Sequence, residues 1–111
     1  MSARVQKIVL LAALALPVAA FAGGNADAGK AKAAQVCGAC HGPDGNKPSA
    51  PDQPVLAGQY PDYIVKALSD YKSGKRNNPI MKGFADTLSK QDMEDVAAWF
   101  SSQQSPLRTA R

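Results

Sequence analysis

Cys37-Gly38-Ala39-Cys40-His41 gathers both cysteines and the only histidine of this 111-residue chain into five consecutive positions. Residues three apart share one side of a helical turn, so this spacing predicts two thiols on one face with the imidazole directly behind them. Two cysteines in an exported chain ordinarily form a disulfide, but a disulfide gives the adjoining histidine no role. A thiol–disulfide oxidoreductase carries its CxxC in a βαβ setting, and no stretch of this sequence alternates well enough to supply a strand. A structural zinc site needs a second pair of ligands, and the chain has no further Cys or His.

Covalent attachment of a c-type haem uses all three residues. Each thiol adds to one of two neighbouring vinyl groups, and His41 presents its imidazole to the iron. Because His41 is the only histidine, bis-histidine ligation within the chain is impossible. The second axial position falls to another side chain, to solvent or to nothing, and Met is the soft ligand expected of an electron carrier. Met93 recurs at core spacing with Val96, Ala97 and Phe100 and reads as packing. Met81 lies in Asn78-Pro79-Ile80-Met81-Lys82, predicted to be irregular, where a loop can carry its sulfur to the iron.

Outside this motif, two regions differ in character. Arg4 and Lys7 precede an unbroken apolar run, Ile8 to Leu16, and Ala20-Phe21-Ala22 offers the small residues that signal peptidase requires. Residues 1–22 are therefore expected to be a secretory signal cleaved after Ala22, leaving 23–111 as one domain in the periplasm. A retained anchor is the alternative, but Ile8 to Ala22 is 15 residues with Pro17 inside it, and roughly 20 are needed to span a bilayer. No stable membrane insertion is expected after cleavage.

The 89 residues that remain contain 33 apolar ones, of which 13 are Ala and two Cys, so 18 larger side chains must build the core. That is too few for an autonomous core, and a body of this size usually needs a staple. A porphyrin disc would supply the missing mass, with Leu56, Ile64, Leu68, Met81 and Phe84 packed on it, and the chain without it is expected to be largely disordered. Of 13 basic residues Arg4 and Lys7 fall in the leader, so 11 face nine acidic ones, a net of +2. No basic stripe with interleaved aromatics is present, and nucleic acid is not an expected partner.

The reading along the chain is all-α. Asp27 is the expected N-cap of a first helix running to Val36. Gly42 to Gln53 reads as loop with a turn at Asp44-Gly45. Pro61 suits the first turn of a second helix whose apolar spacing ends at Gly74. Lys75 to Phe84 is expected to be irregular, with Pro79 and Gly83 as breakers. Ser89, three residues before Asp92, predicts a capping box for a last helix that frays before Pro106.

Taken together, Gly29, the CxxCHG of Cys37 to Gly42, Pro54-Val55-Leu56-Ala57-Gly58, the late Met81 and the aromatic-bearing last helix resemble a monohaem class I cytochrome c. More narrowly, Cys40 to Gly45, Leu56 to Tyr60, Ser73 to Arg76 and Val96 to Phe100 resemble one half of the dihaem cytochromes c4, or their single-haem c553 and c5 relatives. The resemblance implies a small fold in which the N- and C-terminal helices cross, with loops wrapped around one covalently bound haem c. It implies that Gly29 faces Trp99 at the crossing and that the Pro54 carbonyl accepts from Nδ1–H of His41. The axial ligands would be His41 and Met81, and the thioethers Cys37 and Cys40. The chain departs from the family at Ala33, where an aromatic is frequent.

The function this implies is one-electron transfer in the periplasm, as a diffusible carrier between a quinol-oxidising complex or dehydrogenase and an oxidase or reductase. Gly38, Ala39, Pro79 and Ile80 would form an apolar docking patch. Lys66, Lys72, Lys75, Arg76 and Lys82 would steer an acidic partner. Two other readings stay open: a haem-based sensor or gas-binding protein, and a fixed cytochrome subunit of a periplasmic dehydrogenase. An enzyme is not expected, because no second histidine and no acid–base pair near a substrate pocket is evident.

Overall fold

The structure, a computed structural model, describes Val9, Ala12, Ala13 and residues 23–107. The expected export signal over residues 1–22 thus lies, apart from those three positions, outside the described residues. Five helices are present among the described residues: α1 (Ala26–Val36), α2 (Gly38–His41), α3 (Pro61–Ser73), α4 (Pro79–Asp86) and α5 (Lys90–Ser101). No strand occurs among them.

Helix α1 starts two residues earlier than the sequence predicts. Its N-cap is Asn25, whose side chain accepts from the Ala28 amide at 3.0 Å, while Asp27 sits in the first turn. The reason is tertiary: the Asn25 amide donates to Asp95 Oδ1 on α5 at 2.8 Å, which fixes where the helix begins. At Cys37 the helix breaks, with φ −108°, and a single further turn carries Cys40 and His41.

The most extensive helix contact is α1 with α5, and it turns on Gly29. A Cβ at Gly29 would lie 1.9 Å from the Asp95 carbonyl oxygen and 3.0 Å from the Cβ of Trp99. The missing side chain lets the two axes approach within van der Waals distance of backbone. Ala33, one turn on, is fully buried at the same contact. Here small size is what the packing requires, so the departure from an aromatic leaves the crossing intact. Trp99 closes the crossing by donating its indole N–H to the Pro43 carbonyl at 2.9 Å.

Helix α3 begins at Pro61 and ends at Gly74, which holds φ +84° in the left-handed region as a C-terminal stop requires. The stretch after it differs from expectation. Pro79 starts helix α4 instead of breaking one: Asn78 caps it, with Oδ1 accepting from Ile80 and Met81 amides at 3.1 Å each. Proline is tolerated at N1 because that amide has no intrahelical partner. Gly83 is carried inside the helix.

Helix α5 opens with the expected capping box, in which Ser89 Oγ accepts from the Asp92 amide and Asp92 Oδ2 accepts from the Ser89 amide, both at 3.0 Å. Its buried face is Met93, Val96, Ala97 and Phe100, packed with Ile64, Leu68 and Leu88. The helix ends at Ser101, ahead of Pro106.

Two outcomes follow from these contacts. Gly29→Ala should destabilise the folded protein by about 2 kcal/mol or more, since the added methyl meets backbone and the helices must separate; denaturant unfolding of the haem-loaded chain measures it. The Ser89 amide holds the Asp92 carboxyl below its ordinary value of 3.8. A depressed folded pKa stabilises fully above the unfolded value and is lost as pH falls through the folded one. Asp92→Asn should therefore lower stability at neutral pH and flatten its decline below pH 3.8, read from unfolding midpoints across that range.

Candidate haem site

A cavity of about 580 Å³ opens between the α1–α2 junction, the 52–59 segment, α3 and α4. Its size is that of a pocket for a small organic group. Cys37, Cys40, His41 and Met81 all line it. So do Leu56, Ile64, Leu68 and Phe84, the side chains expected to pack on a porphyrin.

The single turn of α2 produces the juxtaposition. Cys37 ends α1, the Cys40 amide returns to the Cys37 carbonyl at 3.3 Å, and the His41 amide returns to the same carbonyl at 3.0 Å. That closes both thiols and the imidazole around one turn, as the spacing predicts. The cysteines are half-buried and unbridged. Burial pushes the Cys37 thiol up from 9.0 to about 11. A thiol–disulfide catalyst needs the opposite shift, toward a reactive thiolate, so the environment contradicts that use of CxxC.

His41 is 6% exposed. Its Nδ1–H donates to the Pro54 carbonyl at 2.9 Å, the contact the resemblance implies. The carbonyl can only accept, so this bond puts a proton on Nδ1 and leaves Nε2 as the nitrogen through which the ring could bind a metal. No group of three or more His, Cys, Asp or Glu able to hold a metal ion occurs among the described residues, so a structural zinc site finds no ligand set there.

The two methionines separate cleanly. Met93 is 3% exposed in the core, receives a weak bond from Ser69 Oγ at 3.7 Å, and does not line the cavity. Met81 is half-buried and lines it. It is delivered by the first turn of α4 and not by the predicted loop. Asn78-Pro79 was the available signal, since Asn before Pro reads equally as a cap followed by an N1 residue. The residues fit a haem: paired thiols, an imidazole held through Nδ1, a soft sulfur and apolar walls in one space.

Arg76, Tyr63 and Tyr71 also line the cavity, which spacing alone did not reveal. Of the five cations expected to steer a partner, Lys66 pairs with Asp70 at 2.6 Å and Lys82 with Asp86 at 3.2 Å. Lys72 donates to the Leu88 carbonyl at 2.6 Å.

A helical fold built around a CxxCH turn, an imidazole and a thioether defines a c-type cytochrome. The chain belongs to the cytochrome c family, whose model matches residues 26–104. It is 53% identical over 96 residues to cytochrome c4 of Pseudomonas aeruginosa, covering 86% of this chain and 47% of that protein. It is 40% identical over 84 residues to cytochrome c-554(548) of Halomonas halodenitrificans, covering 73% of this chain and 99% of that protein. The crystal structure of reduced recombinant cytochrome c4 from Pseudomonas stutzeri superposes with a TM-score of 0.69 at 48% identity, covering 77% of this chain and 48% of that one. The chain thus spans about half the length of the cytochromes c4 it matches. Family and relatives establish the cofactor as covalently bound haem c, and Cys37 and Cys40 fit its attachment motif.

Cys37→Ser with Cys40→Ser should abolish haem that survives denaturation, and the resulting chain should lose most of its helical signal, because the cavity walls have nothing to pack on. Haem staining of a denaturing gel and far-ultraviolet circular dichroism read the two effects.

Proposed function

We propose that this chain is a periplasmic one-electron carrier, exported by a signal over residues 1–22 and working as a domain over 23–111. The observation that carries the reading is that His41 and Met81 line the same apolar cavity as the two cysteines. Haem bound there supplies a one-electron ferric/ferrous couple. His41 and Met81 are the proposed axial ligands, and Pro54 orients the ring of His41 through the 2.9 Å bond to Nδ1, which also raises its basicity.

The remaining residues serve small reorganisation. The His41 ring is fixed by Pro54, and Met81 is carried on a capped helix, so neither needs to move when the charge of the centre changes. Ile64, Leu68, Leu88 and Phe100 exclude water from the walls and disfavour the more positive ferric state. Were His41 and Met81 both to hold the iron, exogenous gases would find no open site, which favours a carrier over a sensor or an enzyme.

Partners are proposed by chemistry alone: a quinol-oxidising complex or dehydrogenase as donor, an oxidase or reductase as acceptor. Ala39, Pro79 and Ile80 are exposed, the last at 70%, and form the candidate docking patch with Gly38. Lys66 and Lys82 are matched by carboxylates on their own helices, so attraction of an acidic partner falls chiefly to Lys72, Lys75 and Arg76. Among the described residues no helix is long and apolar enough to cross a membrane.

Optical spectra of the oxidised and reduced protein test the reading. Sharp reduced bands, a weak far-red sulfur-to-iron band and no carbon monoxide binding are expected. Met81→Ala should abolish the far-red band, admit carbon monoxide and lower the midpoint potential by on the order of 0.1 V, against the roughly 0.8 V range that axial ligands set. An unchanged far-red band in that variant would remove Met81 as the ligand.

A further inference from the structure

The Pro54 carbonyl holds the ring of His41, yet the chain around it has few backbone means of staying in place. Pro48, Pro51 and Pro54 take up three of the seven positions from 48 to 54, and a proline has no amide to donate. Residues 42–60 form no helix or strand. Downstream the segment is tied down, since the Leu56 and Ala57 amides donate to the Gly45 carbonyl at 2.9 and 3.3 Å. Upstream the tie is a side chain.

Gln53 supplies it. Its Oε1 accepts from the Ser49 amide at 2.9 Å, from Ser49 Oγ at 2.9 Å and from the Ala50 amide at 3.1 Å. Backbone amides can only donate, so they fix which end of the Gln53 side chain is the oxygen. An amide oxygen has two lone pairs, so three donors saturate it and leave the side chain little freedom to turn. The Gln53 amide returns to the Ala50 carbonyl at 3.1 Å, closing the turn from both sides. The Ser49 amide is shared with the Cys40 carbonyl, also at 2.9 Å. A ring of contacts therefore runs from Cys40 through Ser49 and Gln53 to the Pro54 carbonyl, and back to Nδ1 of His41. Gln53 itself is half-buried and lines the haem cavity.

We propose that Gln53 is a positioning residue for the haem iron: by gathering Ser49 and Ala50 on Oε1 it holds the Pro54 carbonyl against Nδ1 of His41 and so sets how strongly the imidazole binds. The inference rests on His41 being an axial ligand. A firmly held acceptor draws on the Nδ1 proton and makes Nε2 the stronger donor, which favours ferric iron, the more positive state. Loss of the Gln53 oxygen loosens the acceptor and therefore favours ferrous iron. Simple opening of the pocket to water has the opposite sign, because water stabilises the ferric charge. The direction of the change separates a positioning role from a merely structural one.

Two measurements on haem-loaded Gln53→Ala and Gln53→Glu, set against the unmodified chain, test this. The first is exchange of the His41 Nδ1–H with deuterated solvent, followed by NMR in the reduced state, and the second is the ferrous-to-ferric ratio at one fixed solution potential. In Gln53→Ala the exchange should be at least about threefold faster while the Val96 amide of α5 stays within about twofold. The ratio should rise about two- to fivefold, or about 20–40 mV at 59 mV per decade. Gln53→Glu keeps an oxygen in place and should hold exchange within about twofold of the unmodified chain; only exchange is read from it, since its charge moves the potential by itself. Exchange in Gln53→Ala that is less than about threefold faster, or that speeds in step with Val96, overturns the proposal. So does a ratio that rises less than about 1.5-fold or falls, and so does a Gln53→Glu that exchanges as fast as Gln53→Ala. Should Gln53→Ala not accumulate with haem, Gln53→Asn, whose oxygen is drawn back by one methylene, is read by the same limits. His41 ring protons without the strong ring-current shift of an axial imidazole in the unmodified chain are a separate failure, of the ligand reading, and are seen before any variant is compared.

Discussion

Helices α1, α3, α4 and α5 converge on a hollow of about 580 Å³ where a domain of this size would ordinarily keep its best-packed side chains. Creating a dry cavity costs about 24 cal/mol per Å³. On that scale a dry hollow of this volume would cost on the order of 14 kcal/mol, against a total stability of about 5–15 kcal/mol for a folded domain. No small core could sustain it. The largest fully buried side chains are Phe100, Leu88 and Val96, and all three line the same cavity. The apolar cluster is in this sense one wall of a core whose other part is the haem, and a covalent tether ensures that the part cannot leave. Each helix presents side chains to that space: α1 Val36 with Cys37 at its end, α2 Cys40 and His41, α3 Ile64 and Leu68, α4 Met81 and Phe84, α5 Val96 and Phe100.

Legibility followed the range of the interactions involved. CxxCH is decisive because five consecutive residues fix its geometry through one helical turn. Ser89 with Asp92, Pro61 and Gly74 were readable for the same reason, each being a local solution to the unpaired amides or carbonyls of a helix end. Asn25 was missed because the choice between it and Asp27 is made by Asp95, 70 residues away in sequence. Asn78-Pro79 was misread for a subtler cause: proline ends a helix on one side and begins one on the other, and only the packing of α4 against α3 decides which. The site residues Cys37, Cys40, His41, Pro54 and Met81 come together in space as the sequence and its resemblance imply. The element that carries Met81 does not match, which shows that a side chain's destination can be legible when its secondary structure is not.

Charge was the least legible property. A formal count over residues 61–86 gives five cations, Lys66, Lys72, Lys75, Arg76 and Lys82, against three carboxylates, yet much of that charge is used inside the fold. Asp95, 8% exposed, has no ion-pair partner among the described residues and accepts from the Asn25 amide and Gln91 Nε2 at the α1–α5 crossing. Lys66 and Lys82 are met by carboxylates one turn along their own helices. A residue tally cannot separate such internal charges from those that act outward, because each depends on rotamers chosen by neighbours.

The lysines of α3 and α4 have a mechanical consequence as well. Lys82, next to Met81, donates to the Lys72 carbonyl at 3.0 Å as well as to Asp86. Lys72 in turn donates to the Leu88 carbonyl, in the short connection between α4 and α5. Those two carbonyls belong to helix and turn ends that lack backbone partners, so each lysine satisfies a group that would otherwise face water or go unpaired. The first bond ties α4 to the end of α3 and the second ties α3 to the connection that follows α4, so α4 is held to α3 at both of its sides in sequence. A sulfur carried on a free loop would be placed by its bond to the iron alone. In the folded chain Met81 is held through α4 by Asn78, Lys72 and Lys82, so the ligand role proposed for its sulfur would ask little further movement of that helix. The position of Met81 in the cavity wall therefore depends on hydrogen bonds made outside the cavity.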